Sequence, residues 1–86
     1  MKVQVGSILF EYTGGREWVE AEGATLAELV DDLDRRFPGL AWRVRDESGA
    51  LRPHVAVFLD QKLERDPAAA LADVRTVHVF GALSGG

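Results

Sequence analysis

The chain closes on Gly85-Gly86, and the Gly86 carboxylate is the group whose setting best suits chemistry. Glycine has no Cβ, so two in succession pass through a channel no wider than backbone. A partner protein can grip such a tail by extended-chain hydrogen bonds and capture its carboxylate. A carboxylate is a poor electrophile. Converted to an acyl adenylate it becomes a good one, and a sulfur or amine nucleophile reaches the Gly86 carbonyl with little hindrance. The chain carries no machinery for that activation, so the activation falls to a partner. The competing reading is a tail with no role.

The other reactive side chains form no constellation. His54 and His78 are the only histidines. Both fall on the outward side of strand-like runs, and two imidazoles without a third ligand make a weak metal site. We therefore assign no metal. Ser7, Ser48 and Ser84 lack histidine–carboxylate support. Asp31, Asp32 and Asp34 read as the solvated face of a helix. Thr13-Gly14-Gly15 is followed by no Gly-Lys-Ser/Thr, so it reads as a turn and not a phosphate loop. With no cysteine in the sequence, disulfides, thiolate metal sites and cysteine nucleophiles are excluded together.

A net charge of −4 without a basic stripe argues against a nucleic-acid partner. No apolar run approaches the length of a membrane span. The N-terminal MKVQVGSILF is too short and too polar for a signal peptide, and a cytoplasmic location is expected. The length of 86 residues fits one small domain.

The elements that must position the tail follow from periodicity. Val3 and Val5 alternate with Lys2 and Gln4, as in a half-buried strand that Ile8, Leu9 and Phe10 continue. Thr13-Gly14-Gly15 reverses it, and EWVEA returns, giving a hairpin. Thr25 with Glu28 three residues later is a capping box. Leu26, Leu29, Val30, Leu33 and Phe37 then form one apolar stripe of a helix, which Pro38-Gly39 stops. Trp42 and Val44 are expected under this helix. HVAVFL is a strand, Asp60-Gln61-Lys62 a turn, and LER a short partner strand. DPAAALAD suggests a single helical turn after Asp66-Pro67. VRTVHVF is the last strand, with Val77 and Val79 on one side and Thr76, His78 and Phe80 on the other.

The resulting class is α+β: a mixed sheet of four to five strands with one main helix across it, the β-grasp or ubiquitin-like arrangement. Residues 1–80 form this domain and residues 81–86 a flexible tail. His54, Phe58, His78 and Phe80 are expected to make a semi-exposed docking patch leading into that tail.

The strand order and the ending VHVFGALSGG resemble the ubiquitin-like bacterial sulfur carriers, of the molybdopterin-synthase small-subunit and thiamine-biosynthesis type. TGGREWVEAEGATLAELVDDLDRRFPGL and RPHVAVFLDQKLER are similar to the subgroup that supplies sulfur to a cysteine synthase. The resemblance implies a carrier and not an enzyme. An E1-like partner, using ATP and magnesium, would adenylate Gly86. A sulfur donor enzyme would then displace AMP to leave a thiocarboxylate, and a sulfur-accepting biosynthetic enzyme would take the sulfur. No cofactor would be held stably by the carrier itself. Gly81, Ala82, Leu83, Ser84 and Gly85 would be threaded into the partner ahead of Gly86. Gly81 stands in a segment where the family often has proline, and Asp60 at a turn where asparagine is common. The same adenylate would also serve a ubiquitin-like modifier joined to lysines. A plain adaptor binding through the Phe58/Phe80 face is a further alternative.

Overall fold

The computed structural model describes residues 1–81. Ala82, Leu83, Ser84, Gly85 and Gly86 lie outside the described residues, and with them the expectations for the threaded tail and its reacting end. The strands are β1 (Lys2–Val5), β2 (Trp18–Glu20), β3 (Val55–Leu59), β4 (Lys62–Glu64) and β5 (Thr76–Gly81), and the helices α1 (Phe10–Thr13), α2 (Leu26–Arg36) and α3 (Leu40–Val44). The sheet has five strands in the order β2-β1-β5-β3-β4. The central β1–β5 pair is parallel and the other pairs are antiparallel, so the sheet is mixed, as expected.

Alternation dictates the faces. Val3, Val5, Val55, Val57, Val77 and Val79 are all 0–1% exposed and line the inner face. α2 lays Leu26, Leu29, Val30 and Leu33 onto it, each likewise 0–1% exposed. Helix spacing puts these four on one stripe. Thr25 caps α2 as the sequence suggests: its hydroxyl accepts from Glu28 N at 3.2 Å. The return bond goes one residue further back, with Glu28 Oε1 accepting from Ala24 N at 3.4 Å.

Three expectations about the connections are corrected. First, Ile8, Leu9 and Phe10 do not continue β1. A 3-10 turn over Ser7–Leu9 leads into α1, and Gly14 and Gly15 end it at φ 69° and 83°. Three successive apolar residues cannot alternate across a sheet, whereas one helical turn buries Leu9 and Thr13, four apart, together. β1 and β2 are thus joined by a helical excursion instead of a tight hairpin turn. Second, residues 67–71 form no helical turn beyond the Asp66–Ala69 reverse turn. Their carbonyls serve α2 instead: Leu26 N donates to Ala69 O and Ala27 N to Pro67 O, at 3.0 and 2.8 Å. These amides have no partner within the helix itself.

Third, Asp32 is not solvated. It is 4% exposed and accepts from Glu22 N at 2.8 Å, from Arg36 Nε at 2.9 Å, and from Arg35. These bonds hold its carboxyl down at about 2, the Arg35 bond first and the Glu22 amide second. Asp32 therefore fastens α2 to the chain leaving β2. Asp34 has a parallel task, accepting from Gly39 N and Ala41 N, both at 3.1 Å, where α3 begins. On α3, Leu40, Ala41 and Val44 take the buried face. Trp42, expected under α2, is left 63% exposed.

Candidate functional site: the outer sheet face and the end of β5

The outer face carries one continuous row across all five strands. Trp18 of β2 pairs with Gln4 of β1, Gln4 with His78 of β5, His78 with Phe58 of β3, and Phe58 with Leu63 of β4. The ends of the row are the most open, with Trp18 at 50% and Leu63 at 54% exposure. The His78 ring meets Trp18 edge-on at 6.3 Å between centroids and stacks on Phe80 at 6.0 Å. His78 Nδ1 lies 2.7 Å from Gln4 Oε1, an atom that only accepts, so Nδ1 carries the proton. Gln4 in turn donates to Glu17. This thread fixes the imidazole at the centre of the row.

Phe58, His78 and Phe80 therefore share a face, as the alternation implied. His54 does not join them. It sits in the turn before β3 and lines a concavity with Tyr12, Trp42, Arg43 and Arg52. The two histidines do not come together, because His78 faces Phe58 and Gln4. Among the described residues no group of three or more His, Asp or Glu side chains is placed to hold a metal. Sequence reasoning missed Trp18, Gln4 and Leu63 as members of the face. Trp18 was there to be found, since a large aromatic at an outward strand position is an exposed apolar group without a core to fill.

The last strand carries the chain to the edge of this face. Gly81, expected as the first tail residue, is instead the last residue of β5 and pairs with Val55. A Cβ at Gly81 would lie 2.6 Å from Ile8 Cγ2. Ile8 and any side chain at position 81 therefore exclude each other as the chain now packs. The helical excursion after β1, absent from the sequence reading, supplies the Ile8 contact against which Gly81 fits. At the far end of β3, Asp60 has φ 56°. Asp and Asn tolerate that conformation better than other side chains. The Asp60 carboxylate also accepts from Thr76 N at 3.0 Å, a bond an asparagine carbonyl would equally make.

Comparison with known proteins decides the family. The ThiS family model matches residues 3–86. The chain belongs to the ThiS family of sulfur carriers. The sulfur carrier protein CysO of Mycobacterium tuberculosis is 33% identical over 89 residues, covering 98% of this chain and 96% of the relative. The crystal structure of M. tuberculosis CysO superposes with a TM-score of 0.87 at 30% identity, over 95% of this chain and 98% of that one. CysO of Amycolatopsis orientalis, solved in complex with BexX, gives 0.87 at 31% identity, over 99% and 98%. SAMP1 of Haloferax volcanii gives 0.77 at 28% identity, over 100% and 98%. These likenesses cover 95% or more of the ThiS-family chain and include its β-grasp sheet. No helix of the described residues is long and apolar enough to cross a membrane.

Proposed function

We propose that this ThiS-family carrier works through the carboxylate of Gly86. An E1-like enzyme attacks the α-phosphate of magnesium-bound ATP with that carboxylate, releasing pyrophosphate and leaving an acyl adenylate. A sulfide equivalent from a sulfur donor then adds to the carbonyl and expels AMP, giving a thiocarboxylate. A sulfur-accepting biosynthetic enzyme takes the sulfur and hydrolysis returns the carboxylate. The observation that carries this reading is the family match, which runs through residue 86. The fold supports it, because β5 carries the chain out beside an aromatic face suited to docking, with Phe58, His78 and Phe80 at its centre. The A. orientalis CysO–BexX complex supports a protein partner for a carrier of this kind. The direct test is intact-mass spectrometry after incubation with the cognate activating enzyme, ATP, magnesium and a sulfur donor. The expected product is heavier by the exchange of one oxygen for one sulfur.

A second use of the same adenylate is favoured by the likeness to SAMP1, a small archaeal modifier protein. Attack by a lysine amine in place of sulfide would join Gly86 to another protein. A search for lysine side chains carrying the isopeptide-linked C-terminal peptide that follows Arg75 tests this use.

A further inference from the structure

The concavity holding His54 is a separate feature from the docking row. It measures about 400 Å³ and is lined by Tyr12, Trp42, Arg43, Arg52 and His54. The chain as a whole carries −4, yet this lining has two arginines, a histidine and no carboxylate. Arg35, Arg36 and Arg45 are paired with Asp32 or Asp31. Among the described residues neither Arg43 nor Arg52 has a salt bridge, and the Arg43 Nε is buried without a hydrogen-bond partner. Asp46 is the acidic group that feels Arg52, and its carboxyl is already engaged by Ser48 and the Ala50 amide.

The site is also preformed. The Arg52 guanidinium lies 4.5 Å from the Trp42 ring centroid, and its Nε donates to Trp42 O at 2.6 Å. Arg65 braces the loop from behind, donating to the carbonyls of Leu51, Arg52 and Val55 at 2.8–3.1 Å. Its place matters: His54 directly precedes Val55, the residue paired with Gly81. The concavity thus opens at the end of the sheet from which the tail leaves.

We infer that this concavity docks a carboxylate-bearing segment of the activating enzyme as that enzyme draws in the tail. The inference rests on the carrier reading above. Guanidinium forks match carboxylates in two-point geometry. The exposed Trp42 beside them favours a protein segment over a free ion, since aromatic side chains and arginine are enriched at protein interfaces. Complementary charge there speeds encounter and fixes register. An acidic chain with a local basic socket at the root of its tail would present that end first.

Two measurements test it. In amide NMR of the full chain, a hexaglutamate peptide is expected to shift Trp42, Arg43, Arg52 and His54 saturably, and a hexaglutamine peptide to leave them in place. Inorganic phosphate shifting them as much as the glutamate peptide, or no response to the peptide, would overturn the inference. In the activation assay, Arg43→Gln and His54→Gln should each raise the half-saturating carrier concentration about 3- to 10-fold with little change in maximal rate, and the arginine variant should respond less to salt than wild type. Unchanged half-saturation in both variants would sink the socket alone, whereas an inert wild-type chain would sink the carrier reading beneath it.

Discussion

On β5, Val77 and Val79 are 0–1% exposed, while Thr76, His78 and Phe80, each one residue away, remain partly open. The same division runs through β1 and β3. The inner face of these strands is valine with Leu59 at the end of β3, closed by Leu26, Leu29, Val30 and Leu33 of α2. The outer face mixes Trp18, Gln4, His78, Phe58 and Leu63, each half-buried or exposed. The inner set is shaped to fill volume. The outer set offers flat rings and a fixed imidazole at a position where the fold gains little from them. One strand pattern thus supplies both a core and a surface for another protein, and the strand that joins them ends at Gly81.

The contrast can be broken by mutation, most forcefully on the inner face. Leu33→Ala should cost about 2–5 kcal/mol, read from urea unfolding with an unchanged slope. A cost near that of a surface change would mean the α2 stripe is not the core. Gly23→Ala comes next. A Cβ there would sit 2.4 Å from Leu29 N and 2.8 Å from Glu28 C, both backbone atoms of α2. The chain leaving β2 must then lift away from the helix, costing about 1–3 kcal/mol in the same measurement.

Asp32→Asn sharpens the comparison through pH. Asp32 has its carboxyl lowered from 3.8 to about 2 by the Arg35 bond, the Glu22 amide and Arg36. The folded state thus favours the ionised form, and its contribution is complete above pH 3.8 and is lost as pH falls toward 2. The variant should be less stable than wild type at neutral pH, and the two unfolding curves should converge in acid. Parallel curves down to pH 2 would show that Asp32 does not couple to folding. The smallest change in stability belongs to the outer face. Trp18→Ala and Leu63→Ala should each shift unfolding by less than about 1 kcal/mol. Their effect should instead appear as weaker binding to the activating enzyme. A loss of stability equal to that of Leu33→Ala would erase the distinction between the faces.

Much of this division is legible in the order of residues. Alternation in KVQV, HVAVFL and VRTVHVF assigns the valines inward without any structure, and Thr25 with Glu28 marks where α2 begins. The excursion at residues 7–13 is not legible in the same way. Gly14-Gly15 serves equally for a hairpin turn and for the left-handed end of a helix, so the glycines alone do not choose. Asp32 misleads because its burial comes from a loop ten residues earlier in the chain, a tertiary contact that helix periodicity does not contain. His54 misleads because extrapolating the β3 alternation backwards ignores the turn that precedes Val55. The row from Trp18 to Leu63 needed the strand order, which places β5 between β1 and β3.

The central claim is that the Gly86 carboxylate is the working group and the folded domain its handle. Intact-mass spectrometry of the full chain beside a chain lacking Gly86, each incubated with the cognate activating enzyme, ATP, magnesium and a sulfur donor, addresses it directly. The account predicts that the full chain gains the mass of one oxygen-to-sulfur exchange. The shortened chain, expected to fold to the same stability because the deleted residue has no side chain, should gain nothing. Equal sulfur gain by both chains, or none by the full chain with its genuine partner, would contradict it.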